Sequence, residues 1–351
     1  MQMIFRLSLI SAVCLLAGCG TVPAPAKVVS PAVVPMRKAS AGEIKKRCAA
    51  FKALLAPLAV RETGFSHRAF SAGFSPAEIC RFVTAAGFNR ISLQLSSASE
   101  LDGNFSEFLK AAKSEKLAVD VMLDQEDFRQ YFTGKGLLRK KTTDSDLAEV
   151  LRKISVFNKN LSDDQAKISR VIVKIAPHKF VSDTRGSTGQ IFAWSDKNAG
   201  PGLDNDMLML RTLEMLNSLD VPGMEIAVAV PDFYHELVSE GKITRGKATD
   251  FLTCRKGRVP VILMSSGNKP SQIISRSRNE FMSAGKNHEL LLGVELAGHT
   301  SLSAGKLRRR DWRDLTRILD YVIREHKKYP AFRGIVLMPL PVLQYLIMEQ
   351  D

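Results

Sequence analysis

Two charged residues interrupt apolar stretches of this sequence. Lys174 lies within Val-Ile-Val-Lys-Ile-Ala-Pro-His at 171–178, and Glu295 lies within Leu-Leu-Leu-Gly-Val-Glu-Leu at 290–296. A buried charge is costly unless it is paired or solvated. Each residue is therefore expected to meet an opposite charge or to face a solvated cavity. An ion pair between Lys174 and Glu295 would account for both residues, whereas a Glu295 that faces a cavity would be a candidate catalytic carboxylate.

Carboxylates at the ends of buried strands are the groups that glycoside hydrolysis requires, one as the acid and one as the nucleophile or base. Glu295 is the candidate nucleophile, and Asp124 and Asp232 are candidates for the acid because each follows another apolar run. The residues expected to contact a ligand from strand ends or the loops after them are Gln94, Lys174, His178, Trp194, Tyr234 and His299. An aromatic ring such as that of Trp194 could stack on the apolar face of a sugar.

The motifs of other common chemistries are missing from the sequence. It contains no Gly-x-Ser-x-Gly, no His-Glu-x-x-His and no Gly-x-Gly-x-x-Gly after a strand. These patterns would place a nucleophilic serine, a zinc ion or a dinucleotide. Neither a metal nor a cofactor is therefore expected.

Eight short runs rich in Val, Ile and Leu recur along the chain, at 58–62, 90–95, 118–123, 171–176, 225–230, 259–264, 290–296 and 334–338. Continuous apolar runs are typical of parallel strands that are covered on both faces. Helical patterns lie between them, including one at 44–58, one at 105–116 capped by Asn104, and a closing one at 342–348. This alternation predicts a single eight-stranded β/α barrel of the TIM type, with its chemistry at the carboxyl ends of the strands.

The N-terminus carries a targeting pattern, in which Arg6 precedes an apolar run that ends in Leu-Ala-Gly-Cys at 16–19. The run is too short to span a bilayer, and the pattern resembles the signal peptides of bacterial lipoproteins. The resemblance implies cleavage before Cys19, lipid attachment to its sulfur, and acylation of the new amino terminus by a fatty acid such as palmitate. With Gly20 rather than aspartate next, it implies the outer membrane, facing the periplasm. We predict a signal peptide at 1–18, a flexible Pro- and Ala-rich tether at 19–43 and the barrel at 44–351.

The chain is strongly basic, with 50 Lys and Arg against 36 Asp and Glu and a formal net charge of +14. In a bacterial envelope such a protein is attracted to anionic lipid head groups or acidic glycans, and nucleic acid is not an expected partner. With Cys14 removed and Cys19 acylated, three cysteines would remain, Cys48, Cys80 and Cys254. Two alternatives stay open for these, either free thiols throughout or a bridge between Cys48 and Cys80.

Several segments together resemble glycosidase-like β/α barrel proteins of bacterial envelopes. They are Arg-Ile-Ser-Leu-Gln-Leu at 90–95, Ala-Val-Asp-Val-Met-Leu at 118–123, Gly-Val-Glu at 293–295 and Phe-Arg-Gly-Ile at 332–335. In the commonest retaining barrels of this type, a glutamate ending strand four is the acid/base and one ending strand seven is the nucleophile. The resemblance thus gives Glu295 the second role. Strand four departs from the pattern, because Lys174 and Ala176 stand where the acid is expected.

Three hypotheses follow from these observations. The first is a lipid-anchored barrel that binds a glycan and has lost hydrolysis. The second is an active glycoside hydrolase in which Glu295 is the nucleophile. The third is a scaffold or interaction lipoprotein in which the barrel is a platform, since fold alone does not determine function.

Overall fold

The apolar runs form parallel strands in a computed structural model, which describes residues 39–67, 70, 75–124, 147–175, 177, 205–219, 221–254, 259–265, 267, 269–297, 307–308 and 312–348. The strands are β1 Val60–Ser66, β2 Arg90–Leu95, β3 Ala118–Asp124, β4 Ile168–Lys174, β5 Glu225–Pro231, β6 Val261–Ser265, β7 Leu290–Ala297, β8 Leu307–Arg308 and β9 Phe332–Met338. The eight predicted runs each overlap one of these strands. The two-residue β8 was not predicted.

The strands close into a barrel. They neighbour one another in the order β6, β5, β4, β3, β2, β1, β9, β7, and the pairing of β6 with β7 completes the cylinder. The short β8 pairs only with the end of β7. All pairings are parallel. The predicted eight-stranded β/α barrel is confirmed.

Helices follow the barrel strands in the chain. The helices are α1 Ala41–Leu55, α2 Pro76–Ala85, α3 Gly103–Ser114, α4 Leu147–Lys159, α5 Asn205–Ser218, α6 Phe233–Ser239, α7 Ala248–Thr253, α8 Pro270–Ala284, α9 Trp312–His326 and α10 Leu340–Met348. Among the described helices, none combines the length and the apolar character needed to cross a membrane.

Two helix starts differ from the sequence prediction because of their caps. Helix α1 begins three residues before position 44, since the Ser40 hydroxyl accepts a hydrogen bond from the Glu43 N–H at 3.2 Å. The cap of α3 is Asp102, whose carboxylate accepts from the Phe105 N–H at 3.0 Å, and the prediction of Asn104 was wrong. Aspartate caps well because its charge also favours the positive end of the helix dipole.

Alternation along the strands separates two cores. One set of side chains packs between the sheet and the helices. The other set points into the barrel, where its middle layer consists of Met122, Ile172, Ala227, Ala229, Ile262, Met264, Leu291 and Val336. Inward-facing residues are two apart along each strand. A charged residue that points inward before these apolar residues is therefore separated by them from one that points inward after them.

Strands β3 and β4 carry such charges on both sides of the apolar layer. Their register pairs Asp120 with Arg170 and, four residues further on, Asp124 with Lys174. Residues four apart on a strand share a face. The barrel interior therefore holds one acid–base pair toward its amino end and another at its carboxyl end.

Candidate functional site

Three charged side chains meet at the carboxyl rim of the barrel. Asp124 and Lys174 are the last residues of β3 and β4, and Glu295 lies near the end of β7. In β/α barrels this rim is where functional side chains gather, because every strand ends there. The register of β3 against β4 and the closure of the barrel thus bring together residues that are far apart in the sequence.

Lys174 contacts both carboxylates. Its Nζ lies 3.7 Å from Asp124 Oδ2 and 3.7 Å from Glu295 Oε1. The ion pair between Lys174 and Glu295, which the sequence left open as one of two alternatives, is present, and Asp124 joins it from the neighbouring strand. Because both oxygens lie 3.7 Å from the same nitrogen, Asp124 Oδ2 and Glu295 Oε1 can be separated by at most twice that distance. The Lys174 and Glu295 side chains are 26% and 28% exposed, so this cluster faces solvent.

A cavity of about 200 Å³ opens beside the cluster. Its polar lining comprises Ser66, Ser92, Gln94, Lys174 and Glu295, and its remaining lining comprises Gly64, Phe65, Met122, Met338 and Pro339. Most small-molecule sites combine an apolar wall with a few polar groups in this way. A charge in an apolar run was expected to meet an opposite charge or to face a solvated cavity. Lys174 does both.

Glycine at position 64 lets two lining residues of this cavity pack closely against β1. A Cβ atom there would lie 2.4 Å from the Ser92 hydroxyl oxygen and 3.1 Å from the Met338 sulfur. Contacts that short force neighbouring atoms to move. A larger residue at position 64 would therefore displace Ser92 or Met338 from their places in the lining.

The six predicted residues that the structure describes do not all reach the cavity. Gln94, Lys174 and Glu295 line it, and Asp124 contacts it through Lys174. Asp232 and Tyr234 are fully buried and do not line it. Helix α6 begins at Phe233, which turns the Tyr234 ring into the core, where it contacts the Phe233 ring at a centroid distance of 4.8 Å.

The remaining predicted residues, His178, Trp194, His299 and Cys19, lie outside the described residues. Sequence reasoning also missed part of the lining, namely Ser66, Ser92, Met122 and Met338. A usable signal existed for Ser66 and Met338, since each is the last residue of a barrel strand. Serine and methionine residues carry no distinctive sequence pattern, so the sequence did not indicate that they line a cavity.

The amino end of the barrel holds a second charged cluster, which is buried. Arg170 contacts Glu62, and its Nη2 lies 2.7 Å from Asp120 Oδ2. Arg90 approaches the other Asp120 oxygen at 3.3 Å. Burial raises the pKa of Glu62, against the opposing effect of Arg170. For Arg170, burial acts to lower the pKa, but the two carboxylates outweigh it and raise the pKa above its ordinary value.

A further buried carboxylate, Glu280, lies among helices α6, α7 and α8. Its Oε2 accepts from the Ala248 N–H at 2.9 Å, and its Oε1 lies 3.4 Å from His235 Nδ1. Burial raises the pKa of Glu280 to about 7 and lowers the pKa of His235.

In the described parts of the chain, no group of three or more potential ligands is arranged to hold a metal ion. Cys48, Cys80 and Cys254 are free thiols, so the predicted alternative of a Cys48 to Cys80 bridge was wrong.

Comparison with known proteins gives matches at the level of structure. No family model matches the chain, and no curated protein matches it. A GH18 chitinase from Pseudoalteromonas aurantia is 14% identical over 79% of this chain and 92% of that chain, with a TM-score of 0.47. A β-glucosidase, 1317, is 11% identical over 77% of both chains, with a TM-score of 0.44.

A protein with a different kind of name matches as well. A tryptophan synthase from M. tuberculosis is 10% identical over 83% of this chain and 96% of that chain, with a TM-score of 0.32. At these values the likenesses carry no argument about activity, ligand or partner. The candidate function has to come from the cavity itself.

Proposed function

We propose that the carboxyl rim of the barrel binds a glycan, and that the protein does this as a lipid-anchored component of a bacterial envelope. The observation that carries the proposal is the convergence of Asp124, Lys174 and Glu295 on a partly exposed cavity. Charged groups form hydrogen bonds about twice as strong as neutral pairs do. The hydroxyl groups of a sugar can donate to Glu295 and accept from Lys174.

The rest of the cavity suits the same kind of ligand. Gln94 and Ser66 add an amide and a hydroxyl group, each able to donate and accept. Met122 and Met338 add apolar atoms to the lining, next to Gln94 and Glu295 in the strand register. A sugar ring presents hydroxyl groups at its edge and C–H groups on its faces, so it matches a cavity with both kinds of lining.

Glycoside hydrolysis is the second candidate, with Glu295 as the nucleophile and Asp124 as the acid. Their contact with one shared ammonium group bounds their separation, and that bound admits the spacing of about 5 to 5.5 Å used by retaining enzymes. The lysine itself weighs against it. Protonating a carboxylate that contacts an ammonium group removes a favourable interaction, and the acid must be protonated before the reaction.

The anchoring part of the proposal depends on the N-terminal sequence. The lipobox-like Leu-Ala-Gly-Cys at 16–19 would attach Cys19 to the outer membrane, and the residues between Cys19 and the start of the folded part near Ala39 would act as a tether. Metabolic labelling with a fatty acid, for the natural chain and for Cys19→Ala, tests this. Equal incorporation into both proteins would contradict the anchor.

The glycan proposal is tested by measuring binding of the full-length protein to a panel of envelope and plant glycans by calorimetry. Glu295→Gln is expected to weaken affinity on the order of tenfold or more, since a hydrogen bond to a charged group is worth about 1.5 to 3 kcal/mol. The matched control is Glu289→Gln, because Glu289 precedes the same strand and pairs with the exposed Arg333 far from the rim.

Each outcome separates the hypotheses. Binding without cleavage supports the first proposal. Cleavage that disappears in Glu295→Gln supports the hydrolase, and cleavage that survives unaltered removes Glu295 from the mechanism. If no glycan binds, the rim is not a glycan site, and a scaffold becomes the better hypothesis.

A further inference from the structure

The residue at the centre of the rim cluster is a lysine, and its chemistry differs from that of the carboxylates on either side. Lys174 lines the cavity with 26% of its side chain exposed. An arginine could make the same ion pairs and would hold its charge more firmly. A lysine amine, once it loses a proton, is a nucleophile that attacks carbonyl carbons.

We propose that Lys174 forms a Schiff base with a small aldehyde or ketone that enters the cavity. The ammonium group first gives a proton to a neighbouring carboxylate. The free amine nitrogen then forms a bond to the carbonyl carbon, and the carbonyl oxygen becomes a hydroxyl group. That hydroxyl leaves as water after it is protonated, and the nitrogen is left doubly bonded to the carbon. The reaction consumes one carbonyl compound and releases one water, without oxidation or reduction.

Both proton-transfer steps have a group within reach. Asp124 Oδ2 and Glu295 Oε1 each lie 3.7 Å from Nζ, a distance that a small side-chain rotation reduces to hydrogen-bond length. Glu295, at 28% exposure, can exchange protons with solvent, whereas Asp124 is 9% exposed. Glu295 is therefore the group placed to accept the first proton and to return one to the leaving oxygen.

The two carboxylates stabilise the charge of the product as they do that of the starting ammonium group. A protonated Schiff base carries its positive charge on the same nitrogen as the starting ammonium group. The electrostatic stabilisation that Asp124 and Glu295 give to the ammonium group is thus kept in the product. Only the short-lived neutral amine lacks this stabilisation. The ammonium group and the protonated Schiff base carry the same charge, so both are stabilised by the two carboxylates.

The size of the cavity limits the carbonyl compound that can reach Lys174. Met122 and Met338 contribute apolar atoms to the lining, and solvent still reaches the amine. A volume of about 200 Å³ is below the range of drug-sized sites, which favours carbonyl compounds of a few carbon atoms, such as a short open-chain sugar.

Borohydride trapping tests the proposal on the full-length protein. Glyceraldehyde and pyruvate are the probes, and sodium borohydride reduces any Schiff base to a stable secondary amine whose mass shift is mapped by peptide mass spectrometry. Because Glu295 can relay protons beside it, Lys174 is expected to carry on the order of tenfold more adduct than Lys159, an exposed lysine at the end of α4. Urea-unfolded protein should lose this preference.

Variants make the outcome decisive. Lys174→Arg keeps the cation and cannot form a Schiff base, so its adduct should vanish while Lys159→Arg leaves labelling at position 174 unchanged. Glu295→Gln should slow trapping and shift its pH profile, because the proton acceptor is lost. Labelling spread evenly over the lysines, or unaltered total labelling in Lys174→Arg, would overturn the proposal.

The inference uses the same cavity as the proposed glycan site but a different reaction, so the two can fail separately. Glycan binding by the natural chain without any adduct at Lys174 would leave the glycan proposal standing and refute the Schiff base. An adduct at Lys174 in a protein that binds no glycan would do the reverse. Glycan affinity measured for Lys174→Arg shows whether the cation matters to binding apart from its nucleophilicity.

Discussion

The two ends of the barrel interior carry the same pairing of an acid on β3 with a base on β4, and they differ in their contact with solvent. At the amino end, Asp120 and Arg170 are 0% and 3% exposed, and their closest atoms are 2.7 Å apart. At the carboxyl end, Lys174 is 26% exposed and lies 3.7 Å from both of its carboxylates. One end is a desolvated hydrogen-bonded network, and the other is a looser cluster that a ligand can reach.

The choice of base follows this difference. The guanidinium group of Arg170 reaches Glu62 and Asp120 together, and several donors at fixed angles suit a buried network with two carboxylates. The ammonium group of Lys174 is a point charge on a flexible stem, which suits a site that exchanges partners. The same pairing of charges therefore stabilises the fold at one end and leaves reactive groups accessible at the other.

The largest expected effect comes from removing the buried base. Arg170→Met should lower the free energy of unfolding by about 3 to 5 kcal/mol, because Glu62 and Asp120 would stay buried without their cation. Chemical denaturation measures this directly. The matched change at the other end is Lys174→Met, which should cost less because the Glu295 side chain is 28% exposed and can be solvated, although Asp124 is buried. Equal losses for the two variants would contradict the contrast between the ends.

Glu280 extends the contrast to a buried carboxylate that contacts a histidine instead of a guanidinium group. Its folded pKa of about 7 lies above the ordinary value of 4.5, so the folded protein binds this proton more tightly than the unfolded chain does. The resulting stabilisation is complete below about pH 4.5 and is lost as the pH rises to about 7. Linkage puts the loss at about 3 kcal/mol.

Glu280→Gln removes that titration. The stability of the natural chain, measured by denaturation from pH 4.5 to 8, should fall relative to that of the variant across this window. Glu289→Gln, which changes an exposed glutamate, serves as the control. If the curves for the natural chain and Glu280→Gln run parallel, Glu280 does not keep its proton in the folded protein.

The sequence was sufficient for the architecture because the strands of a barrel are covered on both faces. The resulting apolar runs are visible without any partner, and β2 over Arg90–Leu95 was predicted to the residue. Strand β4 was placed three residues late, since its start, Ile168–Ser169–Arg170, reads as polar. Arg170 is acceptable in the barrel because Asp120 and Glu62 both contact it, and the contact with Glu62 depends on closure of the sheet.

The rim cluster was predictable in part for the same reason. Two charges in apolar strands indicated that Lys174 and Glu295 would meet. The contribution of Asp124 requires the register of β3 against β4, and no residue type reports a register. For Tyr234 the prediction was wrong. Its position after β5 indicated the rim, but α6 begins at Phe233 and this places the Tyr234 ring in the core.

A smaller effect is expected from changing the two aspartates of β3 in turn. Asp120→Asn should destabilise the fold by about 1.5 to 3 kcal/mol, because hydrogen bonds from Arg170, Arg90 and Ser169 to a charged acceptor are weakened in a buried place. Asp124→Asn should change stability by less than about 1 kcal/mol. Thermal and chemical denaturation of both variants measure the difference. A larger loss for Asp124→Asn would show that the rim, not the amino end, holds the barrel together.

The smallest effect is the coupling between Asp124 and Lys174 themselves. A double-mutant cycle with Asp124→Asn and Lys174→Met isolates it, and a partly exposed ion pair at 3.7 Å is expected to contribute about 0.2 to 1 kcal/mol. Because solvent reaches Lys174, raising the salt concentration should reduce the coupling further. The same cycle with Asp120→Asn and Arg170→Met should give a larger coupling that responds less to salt, since water and ions are excluded there. A salt-insensitive coupling at the rim would mean that Lys174 is held as firmly as Arg170, and an amine held that firmly would be a poor nucleophile.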